Sequence, residues 1–494
     1  MTKTILIDRL CAETCLAVLE DGRLFEFYSE SRGQEKLSGN IYVGRVENVL
    51  PGMNAAFVNI GLEKNAFLYA GDIYFDVGGD AELAGKLCQA QIQKLVRPGQ
   101  SILVQVVKEP GGSKGARLSC HVTLPGRLCV LLPTVRYVGI SRRIEDEDER
   151  ARLRAAADEL TDGESFGMIV RTAAAGASAE DLRADYQALK NMWQGIERRG
   201  RHVNAPALVH RDDSLVTRCV RDMLGPSVES VRTDDEALFA SLRETAQMLA
   251  PAFVERIVLD RGQAPIFDRF CVNKQAMEAF KRRVWLKSGG YLIIDYTEAL
   301  TVIDVNTGKF VGKHSLDETV FQLNCEAARE IARQLRLRDI GGIIVIDFID
   351  MEQPQQREKL LEVLRECLRE DRTRTNLAGI TSLGLVEMTR KKVRQPIYKQ
   401  KQRCCAVCQG SGLVLAHEFT ARLALAEVRR RRMAGDQTPY AIVAAPSVAS
   451  LAQRIGAPAA GVYALADEEM PEDKFRLEPV RPEELPPGAR AVKG

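Results

Sequence analysis

Two apolar runs that each lead into an aspartate constrain this chain most: Leu300-Thr301-Val302-Ile303-Asp304-Val305-Asn306 and Gly341-Gly342-Ile343-Ile344-Val345-Ile346-Asp347-Phe348-Ile349-Asp350. A continuous apolar run closed by a carboxylate predicts a buried strand that delivers an acid to the rim of a sheet. The 42 residues between Asp304 and Asp347 are enough to hold a helix and make the two strands neighbours. That helix shows in Val320, Ala327, Ile331 and Leu335, with Ser315 and Glu318 as a capping box and Gly341 just past its end. Two acids at adjacent strand ends form a hard oxygen site suited to Mg²⁺ or Mn²⁺. The class this points to is a metal-dependent enzyme.

The bulk numbers exclude more than they assign. At 494 residues the chain has room for about three or more domains, each burying its own core. No apolar run of about 18 residues is present, so no membrane span is expected. Charge arrives too early at the N-terminus (Lys3, Asp8) for a signal peptide. Twelve cysteines without a regular framework favour a reducing, cytoplasmic setting over a disulfide scaffold. With 69 basic against 67 acidic residues, any pull on nucleic acid must come from local positive potential.

Along the chain, Thr4–Asp8, Thr14–Glu20 and Arg23–Ser29 read as strands, the last two joined by an Asp21-Gly22 hairpin turn. From Gly39 to Val122 several short strands, interrupted by a helix-like stretch at 81–96, suggest a small barrel of OB-fold type. Strands and charged helices mix from Thr123 to His210. The block from Asp213 to Asp268 reads as a companion to the N-terminal hairpin. The best-defined α/β unit is 280–388, and the Pro- and Glu-rich piece from Pro471 is expected to be disordered.

Five constellations carry chemistry. Asn306 sits two residues after Asp304, so on a strand it shares that face and suits orienting a phosphate. A metal held by Asp304 and Asp347 lowers the pKa of bound water and stabilises charge on phosphorus. Cys404-Cys405-Ala406-Val407-Cys408-Gln409-Gly410-Ser411-Gly412 has the form of a zinc-knuckle turn. One such motif supplies half a tetrahedral site, so Cys405 and Cys408 are expected to share Zn²⁺ with a second copy. A redox Cys-x-x-Cys is the alternative. Between Met388 and Arg403 lie Arg390, Lys391, Lys392, Arg394, Lys399, Lys401 and Arg403 without an acid, which suits a polyanion or a solvated linker equally. Phe57 and Phe67, with Lys108 and Lys114 near them, read as a stacking platform or as core. Arg171 and Thr172 at a strand end form either a phosphate grip or ordinary surface.

Three long stretches resemble the ribonuclease E/G family, on its shorter G branch. They are Gly39-Asn40-Ile41-Tyr42-Val43-Gly44-Arg45-Val46 continuing to Val58, Glu298 to Asn306, and Ile331-Ala332-Arg333-Gln334-Leu335-Arg336-Leu337-Arg338-Asp339 continuing to Met351. The resemblance implies an α+β multidomain chain. A split RNase H-like subdomain (1–37 and 216–279) is interrupted by an S1-type OB-fold domain (38–122) and a 5′-sensor region (123–215). A DNase I-like catalytic subdomain (280–401), a zinc link (402–415), a small dimerisation domain (416–470) and the tail (471–494) follow. It also implies roles. Asp304 and Asp347 bind Mg²⁺, assisted by Asn306 and Arg374. Phe57, Phe67, Lys108 and Lys114 contact RNA, while Arg171, Thr172 and the Val130 backbone hold a 5′-monophosphate. The implied activity is endonucleolytic cleavage of single-stranded RNA, in ribosomal RNA precursors and messenger RNA. The implied assembly is a zinc-linked homodimer, with a dimer of dimers left open. Two departures stand out: Ala406 replaces a usual proline, and Cys404 is an extra thiol. A non-catalytic RNA-binding scaffold is the rival reading.

Overall fold

At the Asp21-Gly22 turn both residues take positive φ, 47° and 76°, as a tight two-residue hairpin requires. The turn joins Glu13–Glu20 to Arg23–Ser31, and Lys3–Leu10 pairs with the other edge of Glu13–Glu20. A later stretch of chain completes this sheet: Val228–Thr233 runs parallel to Lys3–Leu10, and Ile257–Leu259 extends the edge. Ile5, Ile7, Leu16 and Val18 form a core with Leu238, Leu242 and Ala246 of the Glu236–Leu249 helix. The companion expected for the N-terminal hairpin is therefore real. This is a computed structural model, and it describes residues 2–31, 36–73, 91–110, 114–309, 316–456, 461–481, 483 and 490–492.

Five strands inserted between those halves close into a barrel. Ile41–Leu50, Ala55–Asn59, Ala66–Tyr69, Arg117–Ser119 and Ser101–Lys108 pair in that order, and the last returns to the first. Leu68, Val104 and Leu118 fill the interior. Gly44 is needed where the first strand closely approaches the second, since a Cβ there would lie 2.5 Å from Val58 Cγ1. Of the helix expected over 81–96, Ile92–Leu95 is present and most of the remainder lies outside the described residues. A four-stranded sheet follows, Val138–Ile140, Gly167–Val170, Cys129–Leu132 and Leu124–Pro125 in spatial order. It is accompanied by helices Glu147–Thr161 and Ala179–His202.

The two aspartate runs lie in the middle of a six-stranded sheet. Its order is Arg283–Trp285, Tyr291–Tyr296, Leu300–Asn306, Gly342–Asp347, Val386–Arg390, Thr375–Ile380. Leu292, Ile294, Ile303, Val305, Ile344, Ile346, Val386 and Met388 point to one side and pack on helices Leu316–Leu337 and Pro354–Arg369. Ser315 lies outside the described residues, so the expected capping box does too. The other face is open, with Ile343 51% exposed. The runs are thus buried on one face only, and the acids stand on the open face at the C-terminal ends of their strands, Asp347 being the last residue of its own. The outer neighbours of the parallel pair are antiparallel, and sheets of that kind leave one face to solvent.

Arg336, on the Leu316–Leu337 helix, ties this subdomain to the N-terminal sheet. Its guanidinium bonds Glu20 at 2.8 Å and Glu26 at 2.7 Å, all three side chains buried. Two members of the basic run are likewise structural. Arg390 is buried between Asp339 and Asp371, and Arg394 pairs with Asp339 while lying 3.9 Å over the Tyr28 ring. The run is therefore only partly uncompensated.

The chain divides into Met1–Ile397 and Tyr398–Gly494. In the second unit Tyr440–Ala444, Val462–Ala466, Phe475–Pro479 and Arg490–Ala491 form a sheet beside helices His417–Met433 and Pro446–Ile455. The described stretch from Pro471 to Arg481 departs from the expected disorder, because Phe475 and Leu477 pack on the core of this unit; 482, 484–489, 493 and 494 lie outside the described residues. They alternate with Arg476 and Glu478, an edge-strand pattern that the Pro- and Glu-rich composition obscures. Among the described residues no helix is long and apolar enough to cross a membrane.

Candidate active site

Asp304 and Asp347 stand directly opposite each other in the parallel register. Backbones of such neighbours lie about 4.8 Å apart, and both side chains share one face. Both are exposed. Asn306 Nδ2 donates a 2.7 Å hydrogen bond to Asp304 Oδ2, so the predicted trio is assembled. Partial burial and the charges of Asp304 and Asp350 raise the Asp347 carboxyl above the ordinary aspartate value. Mg²⁺ is usually bound by one or two carboxylates, with waters and substrate phosphates completing its octahedron. Two in-register carboxylates on an open face fit that habit. Among the described residues no group of three or more His, Cys, Asp or Glu forms a denser site.

Two supporting residues escaped the sequence reading. Arg282 Nη2 bonds Asp295 Oδ2 at 2.6 Å, and the guanidinium also feels Asp304. Its hydrogen bonds hold the Asp295 carboxyl below the usual range. The Arg282-Arg283 doublet ahead of a strand was the available signal. Asn324, fully buried on the Leu316–Leu337 helix, clamps the loop after Asp347. Its Nδ2 donates to Ile349 O at 2.8 Å, and its Oδ1 accepts from Ile349 N at 3.2 Å. A polar residue on the apolar helical stripe was the clue here.

Arg374 is not brought to the acids. It precedes Thr375, which aligns through Arg390 with Gly342, at the start of the Asp347 strand. Asp347 lies five positions beyond Gly342, roughly 17 Å of strand, a span the intervening antiparallel strand fixes. The geometry within this chain gives Arg374 no place beside Asp304 and Asp347.

On the barrel, Phe57, Phe67, Arg117 and Lys108 fall on one row across four strands. The Phe57 and Phe67 rings meet edge to face at 5.9 Å and are half-buried, so they are neither core nor free. Tyr69, which the sequence reading missed, extends the patch: its ring lies 4.4 Å from Phe67, and the Arg117 guanidinium lies 5.1 Å over it. Its spacing of two from Phe67 marks it as sharing that face. Lys108 and Lys114 are exposed.

Arg171 follows the Gly167–Val170 strand, half-buried, and its guanidinium is partly engaged by Asp222 Oδ1 at 2.7 Å and by Gly126 O. Thr172 Oγ1 lies 3.0 Å from Ser141 Oγ, so Ser141 belongs to this corner as well. Val130 pairs with Ile169 inside the sheet, and it is Leu128 whose carbonyl accepts the Arg171 amide, at 2.7 Å.

In the second unit, Cys405 O accepts the Gln409 amide, and Gln409, Gly410 and Gly412 all take positive φ. The Gly410 and Gly412 amides point at Cys408 and lower its thiol pKa. That is the amide-to-thiolate turn expected of a knuckle, and its donor set fits half of a zinc site. Cys404 also lies close, 3.5 Å from where a Cβ on Gly410 would stand.

The family profile described as "Ribonuclease E/G family" matches residues 123–393. Ribonuclease G of Haemophilus influenzae is 43% identical over 437 residues, covering 88% of this chain and 89% of that protein. Ribonuclease G of Escherichia coli (strain K12) is 41% identical over 452 residues, 91% and 92% of the two chains. Ribonuclease E of a Nostoc species is 43% identical over 408 residues, 80% of this chain but 58% of its own longer one. With the profile spanning more than half of the chain and relatives aligned over most of their length, this chain belongs to the ribonuclease E/G family.

Proposed function

We propose that the chain is a Mg²⁺-dependent endoribonuclease, hydrolysing phosphodiester bonds in single-stranded RNA and favouring substrates with a 5′-monophosphate. The observation that carries the reading is the in-register pair Asp304 and Asp347 on an open sheet face, in a member of a ribonuclease family. The two carboxylates present hard oxygens, and Asn306 fixes one of them by hydrogen bond. A bound Mg²⁺ would supply Lewis acidity to the phosphoryl oxygens and a more acidic water. Hydrolysis then leaves 3′-hydroxyl and 5′-phosphate ends. The barrel row Phe57, Phe67, Arg117 and Lys108 suits stacking of unpaired bases beside their phosphates. Arg171 and Thr172 suit a terminal phosphate, and Cys405 with Cys408 suit a structural Zn²⁺ shared between two copies in the cytoplasm. The split N-terminal sheet corresponds on this reading to the RNase H-like part, and the six-stranded sheet to the DNase I-like part. Precursor ribosomal RNA and messenger RNA are the substrates this reading assigns.

The test is cleavage of one oligoribonucleotide bearing either a 5′-monophosphate or a 5′-hydroxyl, with Mg²⁺. The expected result is faster cutting of the monophosphate, with Asp304→Asn and Asp347→Asn each slower by at least a hundredfold, the scale of several kcal/mol of metal stabilisation. RNA that is bound but never cut by the native chain would leave the scaffold reading instead.

A further inference from the structure

We propose that Trp285 and Tyr291 form a stacking subsite for an unpaired RNA base, on the open face that carries Asp304 and Asp347. The inference rests on the cleavage-site reading above and adds to it a second place where RNA is held, separate from the barrel. Register makes the case. Trp285 pairs with Tyr291, Tyr291 pairs with Asn306, and Asn306 lies two residues from Asp304 on the same face. Aromatic rings therefore continue the row that begins beside the candidate metal ligands. Two strand spacings separate Trp285 from Asn306, about 10 Å across the sheet. That distance suits the nucleotide next to the scissile phosphate or the one beyond it.

The two rings are not core. Trp285 is 57% exposed, and the apolar packing of this sheet lies on its opposite face. Tyr291 is held in place: its ring backs onto the turn after Asn306, where a Cβ on Gly308 would come within 3.1 Å of it. Trp285 meets Tyr291 edge to face at 5.3 Å. One cation serves both rings, the Arg283 guanidinium lying 4.6 Å from the Tyr291 centroid and 5.6 Å from that of Trp285. Lys287 and Lys309 are exposed at the same corner, where the Lys309 amide bonds Gly289 O. An exposed indole, a braced phenol and three cations next to a phosphodiester-cutting site match the chemistry of single-stranded RNA. The rings take the base, and the cations take the flanking phosphates. Because every base has a π-face, this subsite tolerates any sequence.

Tryptophan fluorescence tests the idea without turnover. The chain has two tryptophans, and Trp193 is buried at 7% exposure, so RNA contact on this face should be reported by Trp285. Adding a 5′-monophosphate oligoribonucleotide to the full-length Asp304→Asn protein should quench the emission. The same titration of a protein also carrying Trp285→Phe should show no quenching. In the otherwise native chain, Trp285→Ala should raise KM about tenfold with kcat little changed, and Trp285→Phe should restore it. An abasic nucleotide beside the scissile phosphate should cost the native chain a similar factor and cost Trp285→Ala nothing further. Absent quenching, or losses from the variant and the abasic site that simply multiply, would overturn the subsite. Undiminished cleavage by Asp304→Asn would instead overturn the metal assignment, while the quenching result would stand separately.

Discussion

Asp304 and Asp347 occupy one rung of parallel sheet, and Asn306, on the next same-face position, donates a 2.7 Å hydrogen bond to Asp304 Oδ2. Neither acid sits on a loop. Their spacing is set by backbone hydrogen bonding between central strands, and behind those strands lie two helices and a continuous apolar core. A site built this way holds its geometry before any ligand arrives, which is what charge stabilisation during catalysis requires. The loop after Asp347 is fixed as well, by the buried Asn324 amide on Ile349.

Asn306 can be separated from the acids by experiment. Asn306→Ala removes the donor that orients Asp304 and leaves both carboxylates. Loss of an orienting partner of this kind typically costs 10–100-fold in metal affinity or activity. The half-saturating Mg²⁺ concentration for cleavage should rise by about that factor, with kcat at saturating Mg²⁺ falling less. An unchanged Mg²⁺ dependence would remove Asn306 from the site.

The barrel patch makes a second prediction. Tyr69→Ala should weaken single-stranded RNA binding by about 1–3 kcal/mol, the value of one stacked base. Lys108→Ala should weaken binding to all sequences and lower the slope of log affinity against log salt by about one contact, near 0.7 for single strands. Titrations of a labelled oligoribonucleotide at several salt concentrations separate the two effects.

Legibility in the sequence followed the range of the interaction. The Asp304 and Asp347 strands were readable because their apolar runs are local, and Asn306 because a strand's period is two. Arg374 entered through the resemblance alone, and its distance from the acids was not readable because it depends on the order of strands, with Val386–Arg390 lying between it and the Asp347 strand. Spacing along a chain does not encode that order. The structural use of Arg390 and Arg394 was hidden for the same reason: their partner Asp339 lies far back in sequence. The tail strand Phe475–Pro479 was lost to composition, since two apolar residues among prolines and acids do not outweigh the average. Asn324 and Trp285 were visible as letters and acquire meaning only from the face they occupy.

The engaged state of Arg171 sharpens the expectation for the 5′ end. Asp222 already takes part of its guanidinium, so a terminal phosphate would meet the remaining donors together with Thr172. Arg171→Lys keeps the charge and removes the planar fork. Preference for 5′-monophosphate over 5′-hydroxyl RNA should fall about tenfold or more, with the 5′-hydroxyl rate unchanged, in a side-by-side cleavage assay. Equal losses on both substrates would assign Arg171 to structure alone.

The knuckle predicts assembly rather than chemistry. Cys405→Ser combined with Cys408→Ser removes the two thiolate positions that the turn prepares. Sedimentation is expected to show a larger species for the native chain and monomers for the variant, and a strong chelator should convert the first into the second. The variant chain should retain its folded core, because the knuckle contributes none of the core residues of the second unit. An oligomer unaffected by both treatments would remove the shared-zinc link.

Arg336 carries the last prediction, on stability. Burial alone would raise the pKa of Glu26, but Arg336, with Arg372 and the Tyr28 hydroxyl, outweighs burial and holds Glu26 at about 2 against an ordinary 4.5. A depressed carboxylate pKa contributes stability that is complete above the unfolded value and is lost as pH falls through the folded one. The native contribution from Glu26 should therefore be full above about pH 5 and decline toward pH 2. Arg336→Met removes the guanidinium that Glu20 and Glu26 share and leaves Glu26, fully inside, with only the more distant charge of Arg372, while Glu20 keeps Lys3 at 3.4 Å. Breaking a buried pair in this way costs up to about 3–5 kcal/mol at neutral pH. It also reverses the sign of the dependence for Glu26: with its main cation gone, burial raises the pKa of that carboxyl, which is then best tolerated when protonated. The gap between native and variant urea midpoints should be widest at pH 7 and narrow by pH 5. A gap that stays constant over that range would show that Arg336 stabilises through its packing over Phe25, at 4.9 Å, and not through the two carboxylates.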